Sequence, residues 1–85
     1  MTDSTYRIQI YGTRLCGFCT AAKRLCEQQG VPYEEILLDR DPERRMALVE
    51  ETGWRTVPMI FVDGSFIGGF QELRALVSQG GLKPV

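Results

Sequence analysis

The chain has 85 residues, enough for one small domain, residues 1–85, and no second. Hydrophobic residues are 44% of it and charged residues 25%, which supports a modest core and excludes a disordered chain. The formal net charge is -1, with Lys and Arg scattered, so neither nucleic acid nor a strongly charged partner is expected.

The N-terminal run Met1-Thr2-Asp3-Ser4-Thr5 is polar, and the first apolar stretch is only strand length. No targeting or membrane segment is expected, and the cytoplasm is the expected compartment. Tyr6 to Tyr11 alternates and is β-rich, so it predicts a strand that Gly12 ends. Cys16-Gly17-Phe18-Cys19 follows a short loop. From Gly17 to Gln29, Ala21, Ala22, Leu25 and Cys26 recur at helical spacing, and Gly30 closes the helix.

Pro32 introduces a second strand, Tyr33 to Leu38. Asp41-Pro42-Glu43 is a helix start, with a capping acid, a first-position proline and an acid in the first turn. Met46, Leu48 and Val49 are the expected apolar side, and Gly53 the stop. A third strand lies within Thr56 to Val62, after Pro58. Asp63-Gly64 is a hairpin signal, and Ser65-Phe66-Ile67 returns as a fourth strand. Phe70 to Ser78 is the last helix, with Leu73, Leu76 and Val77 as its buried stripe; Gly80-Gly81 and Pro84 end the chain.

The order β-α-β-α-β-β-α makes the first two strands parallel, through a right-handed crossover, and the last two an antiparallel hairpin. An α/β fold with a four-stranded mixed sheet and helices on both faces buries this pattern.

Three cysteines and no histidine exclude a Cys/His zinc site and a Cys–His catalytic pair. An odd cysteine count also argues against a secreted disulfide framework and for a reducing compartment. A Cys-x-x-Cys at a helix start fits redox chemistry. Unpaired N–H groups and the helix dipole favour a thiolate at Cys16, the attacking species. Cys19 is one turn on, where Cα separations of about 5 to 6 Å suit a disulfide, so it is the candidate resolving thiol. The competing possibility is a structural pair or half a zinc site. Zinc would need Cys26 and a carboxylate as well. Cys26 itself reads as a buried small hydrophobe, with a regulatory or dimer-linking thiol as the alternative. Arg14 either adds positive potential beside Cys16 or is a solvated loop charge.

Cys16-Gly17-Phe18-Cys19 after a strand, Thr56-Val57-Pro58 before a strand and Gly68-Gly69 before the last helix together resemble the glutaredoxins. The match runs from Tyr6 to about Leu82. It implies a thioredoxin-like fold and reduction of disulfides with glutathione as electron source. It implies a cis bond before Pro58, which would let the Val57 backbone pair with the cysteinyl part of glutathione, flanked by Thr56. It places Gly69 close to the ligand and the N–H groups of Phe70 and Gln71 at the γ-glutamyl carboxylate. Gln71 stands where many members have Asp or Ser, and Glu72 is the candidate for the glutamyl amine.

The glycine carboxylate usually meets a Lys where this chain has Thr13. Arg45 matches a second family position for that carboxylate, and Arg14 is a candidate replacement for the Lys. Phe18 stands where dithiol members have Tyr, an apolar wall without a hydroxyl. The active site is a hybrid, with the Gly-Phe interior of monothiol members and the second cysteine of dithiol members. It lacks the loop extension that monothiol members carry before the first cysteine. Trp54, two residues before Thr56, is similar to the Trp of the monothiol set, or is simply a half-buried packing residue.

The expected partners are glutathione and proteins carrying disulfides or glutathione mixed disulfides. The alternative is a [2Fe-2S] carrier, with Cys16 of each subunit and two glutathiones as ligands. A monomer is expected, and a dimer only around such a cluster.

Overall fold

The computed structural model describes residues 6–81; the expected chain end at Pro84 lies outside them. Four strands and three helices follow in the expected order. Strand β1 (Ile8–Gly12) leads to helix α1 (Gly17–Gln29), then to β2 (Tyr33–Leu37) and α2 (Pro42–Thr52). Strands β3 (Met59–Val62) and β4 (Ser65–Gly68) form a hairpin, and α3 (Phe70–Ser78) closes the fold.

The sheet order is β2-β1-β3-β4. β1 runs parallel to β2, with Ile10 opposite Glu35, and antiparallel to β3, with Ile10 opposite Ile60. β3 and β4 are antiparallel, with a bulge between Ile60 and Phe61. At the turn both Asp63 (φ 52) and Gly64 (φ 83) are left-handed, as a two-residue turn between twisted strands requires. The Arg7 guanidinium donates to both Asp63 carboxylate oxygens, at 3.0 and 3.1 Å, tying the turn to the start of β1.

Alternation along β3 sorts the core into two layers. Ile60 and Val62 pack with Ile8 and Ile10 of β1, Ala22 and Cys26 of α1 and Leu73 of α3. Met59 and Phe61 pack on the other face with Leu48 and Val49 of α2, and with Tyr11 and Phe66. Helices thus lie on both faces of a mixed sheet, the arrangement that the resemblance implies. Among the described residues no helix is long and apolar enough to cross a membrane.

Four local expectations are corrected. Tyr6 and Arg7 precede β1, which begins at Ile8. Gly12 ends that strand from within it and not as a breaker after Tyr11: it is the last paired residue, opposite Leu37. Leu38 falls outside β2, although it is buried and its N–H reaches Gly12 O at 2.8 Å. Met46 is 64% exposed, because α2 buries only Leu48 fully against the sheet. In α3, Leu73 is buried and Leu76 and Val77 pack partly against the core, as the spacing predicts.

Candidate active site

Cys16 caps α1. Its backbone is extended, and its sulfur accepts a hydrogen bond from Cys19 N–H at 3.2 Å. The expected helix-start placement is therefore realised, with one of the orphan N–H groups of the first turn aimed at the Cys16 sulfur. On its other side, Cys16 Sγ lies 3.8 Å from the Val57 carbonyl oxygen, within reach of a weak S–H donor. The Val57–Pro58 bond is cis.

The three cysteines have distinct environments. Cys16 is partly exposed, whereas Cys19 is 2% and Cys26 0% exposed. All three are free thiols. Burial, together with the interaction with Cys16, pushes the Cys19 thiol up to about 12. Burial pushes Cys26 up to about 11, in keeping with a small core hydrophobe. One accessible sulfur thus sits beside one protected sulfur, which is the division of labour that thiol–disulfide exchange uses.

A groove of about 220 Å³ opens between the starts of α1 and α3 and the segment before β3. Phe18, Thr56, Val57, Pro58, Gly69, Phe70, Gln71 and Glu72 line it, joined by Trp54. Eight sequence-predicted residues from three separate segments meet here. Phe18, 60% exposed, stacks on Phe70 with ring centroids 6.0 Å apart. Glu72 reaches back to accept the Gly69 N–H at 2.9 Å, which fixes its carboxylate at the start of α3. Any side chain at Gly68 (φ 119) would press on Glu72, since an added Cβ would lie 2.7 Å from Glu72 Cγ.

Thr13, Arg14 and Arg45 do not line the groove. The Arg14 N–H is held by both Asp39 carboxylate oxygens at 3.2 Å, and its side chain stays at the surface. Arg45 lies in the first half of α2, partly buried. Trp54 is half-buried and stands edge-on to Phe66 at 5.7 Å, so it is the packing residue expected, but it also forms part of the groove wall. Its place two residues before Thr56 was the available signal for that second role.

Among the described residues no group of three or more His, Cys, Asp or Glu side chains could hold a metal ion. Cys16 is the one cysteine that is not buried. A [2Fe-2S] cluster would take a single ligand from this chain, so the residues do not form a cluster site by themselves.

The glutaredoxin family model matches residues 8–67. Glutaredoxin 3 of Escherichia coli is 37% identical over 78 residues, covering 92% of this chain and 94% of the relative. A glutaredoxin of Pseudomonas aeruginosa is 39% identical over 75 residues, covering 88% and 89%. The crystal structure of a buckwheat glutaredoxin–glutathione complex superposes with a TM-score of 0.85 at 32% identity, covering 92% of this chain and 74% of that one. The chain belongs to the glutaredoxin family of thiol–disulfide oxidoreductases.

Proposed function

We propose that this glutaredoxin, acting as one domain in the cytoplasm, uses glutathione to reduce protein–glutathione mixed disulfides and protein disulfides. The observation that carries this is the groove beside Cys16, whose Phe18, Val57 and Gly69 walls suit an extended, sulfur-bearing peptide.

In the first step the Cys16 thiolate attacks the glutathione sulfur of a mixed disulfide. The new bond is Cys16–S–S–glutathione. The substrate's thiolate leaves with the electron pair and takes a proton from solvent. A second glutathione thiolate then attacks the bound glutathione sulfur, releasing oxidised glutathione and restoring the Cys16 thiolate. With protein disulfides, Cys19 attacks Cys16 instead, and two glutathiones later reduce the Cys16–Cys19 disulfide.

In this scheme Thr56, Val57 and Pro58 hold the cysteinyl part of glutathione, and Val57 offers its backbone as a strand would. Gly69 gives close approach. The N–H groups of Phe70 and Gln71 receive the γ-glutamyl carboxylate. Glu72, already fixed by Gly69, faces the glutamyl amine. Arg45, with Arg14 and the Thr13 segment, holds the glycine carboxylate from outside the groove.

A glutathione-coupled assay on a mixed-disulfide substrate tests this. Cys16→Ser should abolish turnover, and Cys19→Ser should keep deglutathionylation while losing reduction of protein dithiols. Substantial activity in Cys16→Ser would remove Cys16 as nucleophile.

A further inference from the structure

Gly12 is buried at the end of β1, and its backbone is not left-handed, so its conformation does not call for glycine. Space does. A Cβ built there would lie 2.5 Å from Cys19 Sγ and 3.2 Å from Cys19 Cβ. Comfortable non-bonded contacts are roughly 3.5–4.0 Å. By contrast, a Cβ at Gly17, inside the Cys-x-x-Cys itself, would meet nothing within 4 Å. The position that must stay small for the thiol pair is therefore in the preceding strand, not in the motif.

The crowding cannot be relieved at a flexible tip. Cys has a single side-chain torsion, and in a helix one of its three wells is largely closed by the preceding turn. The sulfur above Gly12 must then change well, or α1 must lift off β1. The Cys19 backbone is held in the first turn, its N–H bonded to Cys16 Sγ at 3.2 Å.

We propose that Gly12 is a positioning residue for the resolving thiol, its missing side chain being the niche that keeps Cys19 Sγ in the rotamer facing Cys16. The inference rests on the dithiol route proposed above. In that route the Cys19 thiolate, its proton lost to solvent, attacks Cys16 sulfur. The Cys16–Cys19 bond forms and the bond between Cys16 and the substrate protein's sulfur breaks. The electron pair leaves on the substrate's sulfur, which takes up a proton.

The test equilibrates wild type and Gly12→Ala with a dithiothreitol redox buffer and measures the fraction of Cys16–Cys19 disulfide by thiol trapping and mass spectrometry. The equilibrium constant for disulfide formation should fall about tenfold in Gly12→Ala, a rise of about 30 mV in midpoint. A change under twofold, or a more stable disulfide, overturns the proposal. If wild type never forms the disulfide, the dithiol route falls and the proposal with it; an unchanged midpoint overturns the proposal alone. A second comparison uses a Cys19→Ala background, where no sulfur fills the niche. There Gly12→Ala should lower the thermal midpoint less than it does in wild type. An equal loss in both backgrounds would show that the strand, not the sulfur, rejects the methyl. Should Gly12→Ala alone fail to fold, folding of Gly12→Ala/Cys19→Ala supports the niche, and its failure overturns it.

Discussion

Phe18 and Phe70 stack across the groove, rings 6.0 Å apart and 29° from parallel, and so join the first turn of α1 to the first turn of α3. An aromatic pair of this kind is worth about 0.5–1.5 kcal/mol. Phe18 is also largely exposed, so its main contribution is to the groove wall rather than to the core. Phe18→Ala should raise the KM for a glutathionylated substrate about two- to tenfold. The thermal midpoint should move far less than for a core truncation. Steady-state kinetics with a thermal melt on the same sample checks both.

Thiol labelling should follow burial. Iodoacetamide at pH 8 should modify Cys16 first, with Cys19 and Cys26 protected until the protein unfolds, because neither buried sulfur is accessible. Peptide mass mapping over time reads the order. Early labelling of Cys19 would mean that the first turn of α1 opens readily.

The same two thiols set an alkaline limit. Both are raised above their ordinary value of 9.0, Cys19 to about 12 and Cys26 to about 11. A raised thiol keeps its proton in the folded state after the unfolded chain has lost it. The contribution of each is intact below about pH 9 and is lost as pH climbs toward the folded value. Denaturant midpoints should therefore fall between pH 9 and 11, and the fall should be smaller in Cys26→Ala.

Asp41 caps α2 by accepting Arg44 N–H at 3.2 Å. Asp41→Ala should cost about 1 kcal/mol. For a domain of this size that is about 4–8 °C in the thermal midpoint. Asp41→Asn should recover most of it, since the amide oxygen can take the same N–H.

A cluster would need Cys16 from two chains and two glutathiones, so it can form only in a dimer. Anaerobic reconstitution with iron, sulfide and glutathione should leave a colourless monomer by absorption and size exclusion. A brown dimer would instead establish the carrier alternative.

The fold was largely legible, because each helix carries its own start and stop and each strand its own period. Gly12 misled because propensity marks it as a breaker, whereas its pairing with Leu37 and the sulfur above it decide the matter. Met46 misled because helical spacing cannot tell how wide a stripe the sheet will cover. The groove was not legible from periodicity at all. Phe18, Val57 and Gly69 lie far apart in the chain, and only the resemblance to glutaredoxins brought them together beforehand. The same resemblance offers Arg14 only as a replacement for the missing Lys, and its N–H is held by Asp39 at the edge of the site, outside the groove lining.

Strand β3 has a core on each side, and Val57 and Pro58 lead directly into it. Its placement in the sheet therefore sets how high the Val57 carbonyl stands beside the Cys16 sulfur. Trimming Ile60 or Phe61 would loosen one layer, but the disturbance would travel along the strand to that carbonyl. Repacking two residues in the middle of the sheet is thus a way to adjust the reactivity of a sulfur they never touch.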